Sequence, residues 1–178
     1  MKKINREFFS TSLVILACLV LFSVFPTNGI FQEIISSLTF FFVVPALYVK
    51  IILKKDLKEF GFQKGDFKKG IMLGLGGLVF SAAIVYVCFS YFSFAKNYPL
   101  PESIKTSFQF FILYEVFIVG FFTILYEFFF RGFIQFSFAN RMGLWVVLVQ
   151  FVLFVSLFWA TGNLNWSIAP FVIIAPFS

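Results

Sequence analysis

Histidine is absent from this chain, and with it the side chain that most readily moves a proton near neutral pH. A catalytic zinc takes three protein ligands from His, Asp, Glu or Cys and keeps one position open. Here only scattered carboxylates and two cysteines remain to supply them, so the sequence offers no metal site and no cofactor is expected. A serine or cysteine nucleophile needs an activating base within reach, and no spacing of lysines or carboxylates provides one. Cysteine is scarce too. Cys18 and Cys88 both lie inside apolar blocks with no CxxC, which leaves a disulfide framework or zinc ribbon without support. Charge is the third shortage: 12% of residues are charged, against roughly 25% in water-soluble domains. What fills the space is apolar. The chain is 61% hydrophobic and 23% aromatic, with 32 phenylalanines, and its mean hydropathy is +0.98. Lipid is the expected solvent, and the lipid bilayer the first expected partner. A net charge of +6 would suit nucleic acid, but the basic residues cluster between apolar blocks instead of lining one patch. That pattern fits membrane topology, and no nucleic-acid partner is expected.

Five blocks are long enough to cross a hydrocarbon core, which takes about 20 helical residues. They cover residues 8–27, 30–53, 71–94, 108–138 and 144–161, and a partial span follows at 168–178. The first two are separated by a turn at 26–29, with Pro26 and Gly29. The first block has the basic start of a signal sequence, but it is too long and lacks a clear small-x-small site, so it is read as a span. In lipid the backbone must satisfy its own hydrogen bonds, and unalternating apolar runs of this length mean helices, not a barrel. The expected fold is an all-α, polytopic transmembrane helix bundle of about five full spans and a half-span, a single membrane domain over 1–178.

Charge gives the orientation. Lys2, Lys3 and Arg6 precede the first span. Lys50 near the end of the second span and six lysines of the 54–69 loop (Lys54, Lys55, Lys58, Lys64, Lys68 and Lys69) come next, and Arg141 follows the fourth span. The opposite loops carry only Lys96 and Lys105. By the positive-inside rule the N-terminus and the 54–69 loop are cytoplasmic, in a multi-pass protein of the plasma or inner membrane. A lysine-rich loop could also attract anionic lipid, but topology alone accounts for it.

One stretch breaks the apolar pattern at depth. In "LYEFFFRGF" (125–133) Glu127 and Arg131 stand four apart, and Gln135 continues the same helical stripe. The acid precedes the base, the favourable order for a helical pair. Charges at bilayer depth usually face a bundle interior and pair. Spacing alone leaves two readings open: a structural pair pinning the fourth span to its neighbours, or a functional site. Glu33 and Glu115 are further acids in or near spans. Glu115 shares a face with Tyr126 and not with Glu127, while Glu33 lies near the outer end of the second span. "GLGG" at 74–77 lies in a span and lacks the GK[ST] ending of a phosphate loop; with Ala82 and Ala83 it suits close helix packing.

"YEFFFRGF" (126–133) resembles the EExxxRG motif of the CPBP family of intramembrane endopeptidases (CAAX proteases and bacteriocin-processing enzymes, also called Abi). "LKEFGFQKGDFKKGIMLGLGGL" (57–78) resembles the family's upstream segment, an F/L-G-aromatic turn followed by a polar stretch and a glycine-rich helix. "RMGLWVVLVQFVLFVSLFWA" (141–160) resembles the run into the next motif. The likeness covers about residues 55–165. It implies a multi-helix membrane fold in which glutamate and histidine side chains activate a water, with a divalent metal, to hydrolyse a peptide bond. It also implies a membrane-embedded or lipidated peptide as partner.

The sequence departs from that plan at decisive positions. Tyr126 stands where the family has its first glutamate, and only Glu127 and Arg131 match the motif. Counted without gaps, the FxxxH histidine falls on Trp159; a one-turn shift would place it on Asn163, and Trp159 is the preferred match. The later HxxxN/D motif has no counterpart. The resemblance is therefore to a degenerate or truncated member with catalysis impaired, in which Glu127 and Arg131 survive as a buried pair, and whether it is an enzyme is left open. The alternative is a non-enzymatic membrane partner, such as a bacteriocin self-immunity factor or an adaptor. A small transporter subunit is a third reading, against which stands the lack of an internal repeat.

Overall fold

In a computed structural model the structure describes residues 2–26, 28–62, 65–66, 68–72, 75–76, 79–80, 83, 86–87 and 108–162. All regular elements among them are helical. Helix α1 is Lys2–Val24 and α2 is Ile30–Leu53. A short 3₁₀ turn follows at Leu57–Phe60. Helix α3 runs over 108–142, and α4 is Trp145–Ala160. Three stretches are long and apolar enough to cross a membrane: Arg6–Val24, Ile30–Leu53 and Val116–Met142. These are the marks of a membrane protein.

The expected fifth span is helical over 16 residues, about 24 Å of rise against a hydrocarbon core of ~30 Å, so it falls short of a full crossing. Of the expected span at 71–94, residues 71–72, 75–76, 79–80, 83 and 86–87 are helical. Its remaining positions, Cys88 and the segment 168–178 lie outside the described residues.

Helix boundaries follow from backbone chemistry. Gly29 carries φ +124° and opens α2, a conformation that only glycine adopts freely. Within α2, Pro45 has no N–H to offer the carbonyl one turn back, and its ring would crowd that carbonyl. The helix answers by widening just ahead of it: over Thr39–Val43 the turns are π-type, and the N–H of Val44 donates to the carbonyl of Thr39. α2 ends at Lys54, which sits in the left-handed region at φ 54° while the Lys55 N–H donates to the Val49 carbonyl at 3.1 Å. Gly143, at φ +55°, performs the reversal from α3 into α4.

Packing shows the directions. Ser10 and Thr11 near the start of α1 reach the Tyr48 hydroxyl near the end of α2, at 2.7 and 3.1 Å. Phe8 meets Phe138 near the end of α3, with ring centroids 4.8 Å apart. α1 is therefore antiparallel to both. α2 and α3 run parallel: Phe41 packs on Phe129 and Tyr48 on Phe133, at 5.0 and 6.0 Å. α4 returns along α3, with Phe154 against Phe130 at 5.1 Å. The core is aromatic, with Phe41, Phe129 and Phe133 fully buried. Between helices in lipid the driving force is close packing rather than escape from water, and tilted ring pairs at these separations add attraction beyond area burial.

The basic 54–69 segment does more than connect. Asp56 caps the 3₁₀ turn: its side chain accepts the Lys58 N–H at 3.1 Å, and Glu59 reaches back to the Asp56 N–H. The turn then inserts Phe60, 4% exposed, beside Phe133 in the core, and Phe62 packs on Phe42 and Phe128. Lysines mark this stretch as aqueous in the sequence, but Phe60 and Phe62 fold back between α2 and α3.

Candidate functional site

The segment Glu127–Gln135 is wound in π-type turns and presents two unlike faces. Phe128, Phe129, Phe130, Phe133 and Ile134 are buried, so the aromatic majority takes the interior. The charges are left at the rim. Arg131 Nη1 lies 3.2 Å from Glu127 Oε2, and the two side chains are 33% and 48% exposed. The i, i+4 pair is formed, but it is not the buried pair expected: five large apolar side chains outcompete two charged ones for the packed face.

The glycine after Arg131 has a steric purpose. A Cβ on Gly132 would stand 2.6 Å from the Phe60 carbonyl oxygen and 3.2 Å from Phe128 Cδ2. Gly61, at φ +99°, lies directly over Gly132 and Phe136. The turn at 60–62 and the segment Glu127–Gln135, nearly seventy positions apart in sequence, thus close on each other. Between them is a shallow cleft of about 280 Å³. Phe60, Phe62, Ile124 and Phe136 line it beside the ion pair. The sequence marked Phe60, Gly61 and Phe62 as an F/L-G-aromatic turn through the family resemblance, but not that this turn packs against Gly132.

Tyr126, one position before the pair, points the other way. Its ring meets Phe41 at 5.1 Å, Phe154 at 6.0 Å, Phe130 at 6.2 Å and Phe158 at 6.4 Å. From α4 it is Phe154 and Phe158 that face this position. Trp159 is 74% exposed, so the structure does not bring it to Tyr126. A divalent metal does not fit here: the box is made of hydrocarbon rings, and hard or borderline cations need oxygen, nitrogen or thiolate donors. No group of three or more His, Cys, Asp or Glu side chains gathers elsewhere among the described residues.

Of the other acids, Glu33 lies within electrostatic reach of Tyr126. Glu33 sits exposed in the first turn of α2. Glu115 lies on α3, with its side chain outside the described residues, as is Asn163. Cys18 is buried in α1. The geometry offers an ion pair at the edge of an aromatic cleft, and an aromatic box on the opposite side of the same helix. In comparisons with known proteins, no family model, no curated protein and no solved structure matches this chain.

Proposed function

We propose that this protein is a catalytically impaired relative of the CPBP intramembrane endopeptidases, with the N-terminus in the cytoplasm of a multi-pass fold. The observation that carries the reading is the closure of the turn at 60–62 on Gly132. Those are the two segments whose sequences separately resemble the family, and they pack as partners. Parallel running of α2 and α3 adds support for a multi-pass chain, because the end of α2 and the start of α3 then lie at opposite ends of the bundle. The impairment rests on Tyr126. General-base catalysis needs a proton acceptor placed against a water, and a phenol boxed by four phenylalanine rings is a poor one.

A second reading is favoured by the cleft beside Glu127 and Arg131. Its aromatic lining and exposed charges suit uptake of a membrane-embedded or lipidated peptide without cleavage, as a self-immunity factor or adaptor would require. Both readings are tested by incubating the purified protein, in detergent, with prenylated and unmodified peptides, with and without added zinc. No hydrolysis is expected. Binding of the prenylated peptide without hydrolysis would favour the partner reading, and hydrolysis lost in Glu127→Gln would overturn the impaired one.

A further inference from the structure

At the end of the bundle where α1 begins and α2 and α3 end lies a larger cleft, of about 670 Å³. Its wall carries both signs of charge, Glu7 and Glu59 with Lys55 and Arg141, and Phe136 and Ser137 also line it. The cleft stands at the level where apolar helix gives way to charge, since the apolar stretches begin at Arg6 and end at Leu53 and Met142. A membrane-spanning chain meets lipid headgroups at that level.

The polar groups here are loosely committed. Arg141 lays its guanidinium over the Phe8 ring at 4.3 Å, which uses the face of the group and leaves its in-plane N–H donors for a ligand. The Lys55–Glu7 pair is long, 3.8 Å, with both side chains 42% exposed, a pair of the kind that contributes little by itself. Glu59 accepts only a long bond, 3.4 Å, from the Asp56 N–H. Ser137 Oγ is buried without a hydrogen-bond partner, which is uncommon for a buried hydroxyl.

We propose that this cleft binds the headgroup of a zwitterionic aminophospholipid, phosphatidylethanolamine. The phosphate lies on Arg141 and Lys55, and the ammonium on Glu59 and Glu7. Charge complementarity selects this occupant. The four charged groups sum to zero, so an anionic headgroup would bring no cation to the two carboxylates and could offer them only neutral hydroxyl donors. A choline headgroup has no N–H to donate. Half-exposed Phe136 supplies an apolar rim where the acyl chains leave.

The test is native mass spectrometry of the full chain in detergent, titrated with short-chain phosphatidylethanolamine, phosphatidylglycerol and phosphatidylcholine, and with free glycerophosphoethanolamine. Saturable one-to-one binding of phosphatidylethanolamine is expected, with the other two lipids about tenfold weaker, the loss of one charge-assisted hydrogen bond. Arg141→Gln and Lys55→Gln should each weaken it by a similar factor, and the exposed Lys69→Gln should not. Equal or tighter binding of phosphatidylglycerol, or binding unchanged in both cleft variants, overturns the proposal. Equal binding of the free headgroup replaces the lipid with a soluble phosphoamine and overturns it too. None of these outcomes depends on whether the chain hydrolyses peptides.

Discussion

The Phe60 carbonyl oxygen sits where a side chain on Gly132 would begin: a Cβ there would be 2.6 Å away. Backbone oxygen cannot swing aside as a side chain can, so any larger residue must push the turn off α3. Gly132→Ala is expected to destabilise the protein by about 1–3 kcal/mol, the range for overpacking a fitted site. Gly76→Ala, with nothing within 4 Å of its added Cβ, should be neutral or slightly stabilising. Thermal unfolding in detergent reads both; equal behaviour of the two variants would show that the close approach is not a determinant of stability.

Glu127 and Arg131 should couple, but modestly. Fully exposed helical pairs give about 0.3–0.5 kcal/mol, and breaking a buried pair costs about 3–5 kcal/mol. With 48% and 33% of these side chains exposed, a coupling of about 1 kcal/mol is expected. A double-mutant cycle with Glu127→Gln and Arg131→Met measures it. Strictly additive losses would mean the 3.2 Å contact carries no energy, and Glu127 would then stand as an independent carboxylate.

How much of this could be read beforehand differs from feature to feature. The helices α1 and α2 follow from unbroken apolar runs with a Pro and Gly between them, and the Glu127–Arg131 contact follows from i, i+4 spacing. The location of that pair did not follow. Spacing tells which residues share a face but not which face neighbouring helices cover, and here Phe128, Phe129, Phe130 and Phe133 decided it. The F-G-F turn itself was legible from the family resemblance, but its insertion was not: Phe60 and Phe62 are two apolar residues among lysines, too few to raise the local hydropathy. Trp159 shows the limit of ungapped counting. Its neighbour Phe158 faces Tyr126, and a helix turns about 100° between adjacent positions.

Lys54 is the one non-glycine residue with positive φ among the described residues. It closes α2 in the left-handed region, where a Cβ is crowded by the following carbonyl, a cost of about 1–2 kcal/mol. Glycine removes that crowding and is the commonest residue in this capping position. Lys54→Gly is therefore expected to stabilise the protein by about 1 kcal/mol, less the extra freedom glycine gives the unfolded chain. A rise in Tm checks it; a fall would mean the Lys54 charge, not the backbone, governs this corner.

The last prediction concerns sidedness. Two basic groups widely separated in sequence converge on the start of α1 at one end of the bundle. Lys55 pairs with Glu7 at 3.8 Å, and Arg141 lies 4.3 Å over the Phe8 ring. The start of α1, the end of α2 and the end of α3 therefore share one side, and it is the side with Arg6, Lys54 and Lys58. The opposite end, at the α1–α2 turn, carries no Lys or Arg between residues 26 and 30. Positive charge is retained in the cytoplasm during insertion, so the converging end is expected inside. A reporter active only outside the cytoplasm should be silent when fused after Lys64 or Met142 and bright when fused after Asn28. Because the Lys64 and Met142 fusions report independently on the ends of α2 and α3, one silent and one bright fusion would contradict the parallel arrangement of the two helices. Two bright fusions with a silent one after Asn28 would keep that arrangement and reverse its orientation in the membrane.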